Sequence, residues 1–562
     1  MQIRIPRLVA YVLLTIGIAA GVGAIHTNVV PVPQYLFVAT LILTFATLAA
    51  LLFSLVYVPL RNRASYLLLP YAVAVGLFVI AAVRLASTSF AHGDEIYSWN
   101  MWAVQHYLRQ AADYWYTLAA YPQLLPYWIA SIYGALGTDV IHAVPRFFAA
   151  IPTLVFFLAI LGSGEIRSWR MAALASFIAI CVWGPLLMRD QLPTALADPL
   201  MTAFFLASVA LLIAYERQPR SLLPLGLAAA CAVMACFTKQ PALLWGCLAL
   251  PLVVAVGCFF RGWPKRALVL GVGAAVLSMS WPLLIAPHFA DNPGVIQRSI
   301  ETRSYLDQLG YSATKYLVQK PGLLVLFAAS AIAAWRHWLL RLLWMTALLP
   351  MLIAWFLFGS YNLRLGMHVI GLAALLLVAA IASPNRGSRD APTPSAPAKP
   401  IRAVTIAILA TLAVFAISAI GAWKMAAAKG TDLADGNRTT FRTQFGPGSE
   451  RVFDQLVRSN ARVWTTSNYS YGVLFGRMTV GRPAYRAHPY GMSDLVAELK
   501  SFGAEYAIYS GTRPNGPASE LLKELAAKCP QSLPPFLAGD TEGGGFILYK
   551  VELSTLGAEG CK

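Results

Sequence analysis

Residues 8–25 read LVAYVLLTIGIAAGVGAI, a stretch without a charge that follows Arg4 and Arg7. A bilayer is crossed by about 17 to 25 apolar residues in an α-helix, so this run is long enough to span. A secretory signal also begins with a basic stretch and an apolar run, but this run is long for one and has no small-x-small site beside a polar break. It is expected to stay as a first span. Comparable runs recur as far as residue 423, about thirteen in all, a few of them short. They begin near Leu8, Leu36, Tyr66, Phe147, Met171, Leu200, Leu222, Ala242, Ala267, Leu323, Leu342, Leu365 and Val404.

The composition agrees. Of 562 residues 58% are hydrophobic and 12% charged, where soluble domains carry about 25% charged residues, and the mean hydropathy is +0.62. The net charge of +18 would suit a nucleic-acid binder. The basic residues, however, fall in short clusters between apolar runs with no aromatic platform among them, which is the pattern of topology signals. Arg61 and Arg63, Arg167 and Arg170, Arg217 and Arg220, Arg261 with Lys265 and Arg266, Arg336 and Arg341, and Arg386, Arg389, Lys399 and Arg402 mark every second connection. These loops are expected to be cytoplasmic, with the N-terminus. Residues 121–137 (YPQLLPYWIASIYGALG) would invert all later loops if counted as a span. They are expected to form a helix in the outer interface, within an outer loop at 87–144. Residues 383–402 read as a flexible cytoplasmic linker and 404–423 as the last span.

The expected fold is a polytopic α-helical membrane domain over residues 1–423 and a small periplasmic α/β domain over 424–562. In the second part, strands are expected at 463–467, 506–510 and 546–551, and amphipathic helices at 493–502 and 518–527. It holds no phosphate loop, zinc spacing or nucleophile elbow, so a lid or docking role is expected. Five of the seven cysteines sit in apolar runs; Cys529 and Cys561, alone in the tail, are expected to be oxidised to each other.

The outer segments carry the chemistry. His92-Gly93-Asp94-Glu95-Ile96-Tyr97-Ser98-Trp99-Asn100 follows the third span directly. Carboxylates at a membrane rim are costly unless solvated or used, and a low-dielectric rim raises a carboxylate toward the range of a general base. The other reading of Asp94 and Glu95 is a helix start favoured by the dipole. Asp198, in Ala-Asp-Pro with Arg189 and Asp190 before it, is a candidate to orient an acceptor, or a plain helix start. Lys239, Arg364 and His368 lie at the same depth and either snorkel or hold a lipid phosphate. The ligand types of Asp94, Glu95, Asp198 and His92 would suit a divalent metal, although no spacing demands one. No other cofactor is implied.

In order and sidedness these pieces resemble the GT-C superfamily of integral-membrane glycosyltransferases, particularly its protein O-mannosyltransferase and lipid A aminoarabinose transferase branch. The matching residues are Asp94 and Glu95 after a span, the aromatic helix opening Tyr121-Pro122-Gln123-Leu124-Leu125-Pro126-Tyr127-Trp128, Asp198, the Thr238-Lys239 turn, and Arg364 before a late span. The likeness covers about residues 66–381. It implies an inverting transferase that moves a sugar from a polyprenyl phosphate to a periplasmic glycan, lipid or protein hydroxyl in the bacterial inner membrane. Asp94 would be the base with Glu95 its neighbour, and Asp198 would place the acceptor. Lys239, Arg364, His368, Arg298 and Arg303 would hold the donor phosphate, and Tyr97, Trp99, Tyr121 and Arg189 would line the substrate. The chain departs from the pattern twice: two spans precede the acidic pair where many members have one, and Tyr121 stands where the aminoarabinose branch has a lysine. The alternatives are a polyprenyl-linked glycan polymerase or ligase and a lipid or glycan transporter, although the charges gather at helix ends rather than at mid-membrane. A transferase of this kind would need no nucleic-acid partner.

Overall fold

A computed structural model describes residues 4–86, 90, 95–109, 122–139, 141–184, 191–219, 221–289, 304–360, 362–382, 441–442, 445–459, 461–465, 491–510, 517–539 and 545–556. The chain opens with α1 (Arg4–Asn28), α2 (Gln34–Arg61) and α3 (Leu68–Ala86). The short helices α4 (Met101–Tyr107), α5 (Leu124–Leu136) and α6 (Ala143–Phe148) lead to α7 (Ile151–Gly162), α8 (Trp169–Trp183), α9 (Ala197–Arg217) and α10 (Leu223–Thr238). Then come α11 (Leu250–Phe260), α12 (Ala267–Phe289), α13 (Tyr305–Ala313), α14 (Pro321–Ala334), α15 (Trp338–Leu343), α16 (Leu349–Ala354) and α17 (Met367–Ile381). Helices are what lipid requires, because a spanning backbone finds no water for its N–H and C=O groups.

Helices occupy the first twelve expected runs, but not all at full length. Among the described residues eight helices are long and apolar enough to cross a membrane, or nine if the pair Tyr305–Val318 and Pro321–Ala334, bent by 95°, is one span. Trp169–Trp183 and Leu223–Thr238 are apolar but shorter, while α12, 23 residues long, is described as apolar over Ala267–Leu283. The linker at 383–402 and the run from Val404 lie outside the described residues. Exposed Ile80, Val269, Val325 and Ile332 form an apolar outer surface that suits lipid. At the centre, α7, α9 and α17 are enclosed, and α9 is buried from Ala197 to Tyr215. Close contact there depends on small residues. A Cβ on Gly371 of α17 would stand 2.7 Å from the Phe156 ring and 2.8 Å from Leu206.

Within the stretch at 121–137, α5 is a helix as expected, and its Leu125, Trp128, Ile129 and Tyr133 are buried in the bundle. With 13 residues it extends only about 20 Å at 1.5 Å per residue, too short to cross. It is instead packed on α1, α2 and α4. Gly23 makes this possible, because a Cβ there would lie 2.4 Å from the Tyr127 carbonyl oxygen. Gly23→Ala is therefore expected to cost about 1 to 3 kcal/mol by overpacking, read as a lower thermal midpoint. The control is Gly21→Ala, whose added carbon meets nothing within 4 Å. Equal midpoints for the two variants would refute the contact.

The C-terminal part folds around a four-stranded sheet, β1 (Val463–Thr465), β2 (Tyr506–Ser510), β3 (Pro535–Gly539) and β4 (Phe546–Lys550), in the order β1-β2-β4-β3. β1 and β2 are parallel; the other pairs are antiparallel. Helices α18 (Glu450–Arg458), α19 (Met492–Phe502) and α20 (Pro517–Lys528) accompany it. Buried Trp464, Leu495, Leu499, Leu522 and Leu525 fill one core and Phe441, Phe453, Val463 and Phe546 another. All three expected strands and both expected helices are present. Cys529 is buried and disulfide-bonded, while Cys181, Cys231, Cys236, Cys247 and Cys258 are free; Cys561 lies outside the described residues.

Candidate functional site

At one end of the bundle three elements deliver charged side chains to one place. α9 begins at Ala197, so its first turn presents Asp198. α10 ends at Thr238, and Lys239 follows in an extended conformation. Arg364 sits in the short turn Leu363–Gly366 ahead of α17. Lys239 Nζ donates to Asp198 Oδ1 at 2.7 Å, and Arg364 Nε lies 3.3 Å from Asp198 Oδ2. All three side chains are less than a tenth exposed, so the lysine does not snorkel to water. His368, in the first turn of α17, is buried within electrostatic reach of Asp198 and Lys239 and meets the Phe205 ring edge-on. Asp198 is thus no solvated helix start. It is the anchor of two cations that the sequence placed at one depth but did not join.

A second buried pair lies beside the first. A π-turn, a distortion frequent at functional sites, runs over Glu95–Asn100. Glu95 is buried, and its Oε2 accepts from Arg146 Nη1 at 2.6 Å. Its Oε1 accepts from the backbone N–H of Ala195 at 2.8 Å. Arg146 also donates through Nε to the Leu85 carbonyl at 2.9 Å and stacks on the Phe90 ring. One carboxylate therefore ties the acidic turn to the segment that enters α9 three residues before Asp198. Both oxygens of Glu95 thus accept hydrogen bonds from within the protein.

Around this pair the residues are polar but neutral. Burial pushes the His106 imidazole down to about 4, with its Gln123 hydrogen bond as a smaller opposing pull. His142 is likewise lowered to about 4, by burial first and the charge of Arg146 second. Tyr133 donates to Asn100 Oδ1 at 2.5 Å, and its burial raises its hydroxyl well above the ordinary range. Trp99, expected to line the substrate, is instead buried edge-on against Trp102.

No protein-family model matches the chain, and no curated protein does. The chemistry of the site rests on its own residues. Among the described residues no three His, Cys, Asp or Glu side chains come together to hold a metal ion. Of the metal candidates, Glu95 and Asp198 each pair with cationic side chains. His92, Asp94, Tyr121, Arg189, Arg298 and Arg303 lie outside the described residues, as does the side chain of Tyr97.

Arg146 was not among the sequence candidates. Its signal was present: it is a lone arginine in the apolar stretch Ala143–Phe148, at the helix end where topology calls for few positive charges. A charge buried against that bias has a partner or a task.

Proposed function

We propose that the chain is an inverting glycosyltransferase that takes a sugar from a polyprenyl-phosphate carrier. The observation that carries this reading is the Glu95 to Ala195 hydrogen bond, which makes the acidic turn and the Asp198, Lys239 and Arg364 cluster neighbouring parts of one site. The sequence sets a carboxylate, Asp94, directly before that turn as the base, and the cluster supplies cations, the two needs of this reaction. Asp94, the residue before Glu95, takes the proton of the acceptor hydroxyl as its oxygen attacks the anomeric carbon. The bond from that carbon to the phosphate oxygen breaks, and its electron pair stays on the departing polyprenyl phosphate. A phosphate leaving group needs cations rather than a general acid, and Lys239 and Arg364 meet that charge. Asp198 keeps the two cations in place, rather than placing the acceptor.

Arg167 and Arg217 lie at helix ends away from the cluster; read by the positive-inside rule this supports an outer-face site, and an odd number of spans would bring the tail to the same face. There a lipid-linked donor is met at the bilayer surface. The membrane of residence is then a bacterial inner membrane and the acceptor an envelope glycan, lipid or protein.

The deciding experiment reconstitutes the full chain in vesicles with a polyprenyl-phosphate monosaccharide and an envelope extract. Transfer of single sugars with inversion is the expected result. Transfer of whole glycan chains would favour a polymerase or ligase, and movement of the lipid across the bilayer without bond cleavage a transporter; either would overturn the reading. Sidedness has its own test. In a Glu524→Cys variant, whose position is exposed on the tail, the new thiol should be labelled by an impermeant reagent in intact spheroplasts. Labelling only after permeabilisation would place the tail in the cytoplasm.

A further inference from the structure

A dense buried polar network stands just ahead of Arg364, and membrane packing alone does not call for it. α13 continues through a π-turn at Thr314–Val318, and a second π-turn at Trp355–Gly359 leads to Ser360. Tyr316 donates its hydroxyl to the Ser360 carbonyl at 2.6 Å, and Lys315 Nζ donates to the same oxygen at 3.0 Å. Gln308 Nε2 donates to Ser360 Oγ at 2.8 Å, and Ser312 Oγ donates to the Phe356 carbonyl at 2.7 Å. Ser312, Tyr316 and Ser360 are all buried.

The contacts then run on to the arginine. The Tyr316 ring packs 4.6 Å from the Trp355 ring. Trp355 leaves no room beside Gly366, where a Cβ would fall 2.3 Å from the indole. Its Nε1 points at the Asn362 carbonyl at 3.4 Å, and Asn362 Oδ1 accepts from the Arg364 backbone N–H at 2.9 Å. The turn that carries Arg364 is thus held at both ends by one aromatic pair and one asparagine.

We propose that Tyr316, with Ser360, is a positioning residue for Arg364: the helix Tyr305–Val318 fixes where that guanidinium stands, and so where the donor's phosphate is held. This rests on the reading of the cluster as a donor-phosphate site. Tyr316 does not itself reach the reacting atoms; its hydroxyl is buried and donates to a carbonyl. Its value is geometric, since it sets where the guanidinium can meet the donor's phosphate. Fully satisfied buried networks of this kind hold one arrangement in preference to others.

The test uses the full chain in nanodiscs, with apparent KM for a polyprenyl-phosphate monosaccharide, kcat and backbone hydrogen exchange over residues 362–366. Tyr316→Phe keeps the ring and removes one buried hydrogen bond, so the donor KM is expected to rise about tenfold, with kcat and the acceptor KM little changed. Exchange over 362–366 should quicken. In an Arg364→Ala background the same substitution should add less than about twofold, because the residue it acts through is gone. A full further tenfold loss in that background, or a change confined to the acceptor, would overturn the proposal. Gln308→Met is the second variant, expected to act in the same direction if Tyr316→Phe does not fold. Unchanged exchange with wild-type transfer would remove the positioning role and leave the functional reading standing. Quickened exchange in a protein whose wild type transfers nothing would keep the positioning and remove the reaction.

Discussion

Asp94→Asn should leave a folded protein that transfers almost nothing, with turnover down by about a thousandfold, as expected for loss of a general base. The neighbouring carboxylate makes the comparison decisive. Glu95 is buried with one oxygen on Arg146 and the other on the Ala195 N–H. Glu95→Gln breaks a buried ion pair, which typically costs about 3 to 5 kcal/mol because the remaining charge stays buried. Two adjacent acids are therefore predicted to fail differently, one in chemistry at unchanged thermal stability, the other in stability first. Wild-type turnover by Asp94→Asn would remove it as the base. A thermal midpoint for Glu95→Gln equal to that of wild type would remove the strut.

Lys239→Met is the second large effect. The substitution keeps much of the side-chain volume but withdraws the closer of the two cations on Asp198. The expected result is a loss of stability of about 3 kcal/mol or more, together with a raised apparent KM for the lipid donor and weaker photocrosslinking to it. Asp198→Asn combined with Lys239→Met should be destabilised further than Lys239→Met alone, since it also takes from buried Arg364 the carboxylate 3.3 Å away. A defect in the acceptor constant alone would argue against a phosphate role for this cation.

What the sequence made legible follows from what each signal measures. Apolar runs gave helix starts faithfully, from Arg4–Asn28 through Met367–Ile381, because hydropathy reports the solvent along the chain. They did not give lengths. α8 ends at Trp183 after 15 residues, and the run at 121–137 became a buried helix because Gly23 lets α1 approach it. That contact lies more than a hundred residues away in sequence. Sidedness brought Asp198, Lys239 and Arg364 to one end, but only the fold shows both cations on one carboxylate. The surprise was Glu95: two adjacent acids look equivalent in sequence, and nothing in it marks Glu95 as the partner of Arg146. In the tail, β3 was missed because Pro535 opens it, and proline argues against a strand except at its first residue or an edge. β3 has both, at the end of the order β1-β2-β4-β3.

The placement of Asp198 and Lys239 at the two open ends of one helical hairpin has a consequence for biosynthesis. A chain made from its N-terminus delivers α9 and α10 to the bilayer as a unit, so the acid and its ammonium partner arrive together. Neither has to wait in lipid as a bare charge, which is the expensive state. Arg364 arrives over a hundred residues later, after α12 and the bent pair. A nascent chain that ends before residue 363 therefore already holds a neutral ion pair across the hairpin, and the last charge of the cluster is added to a pair that has formed without it.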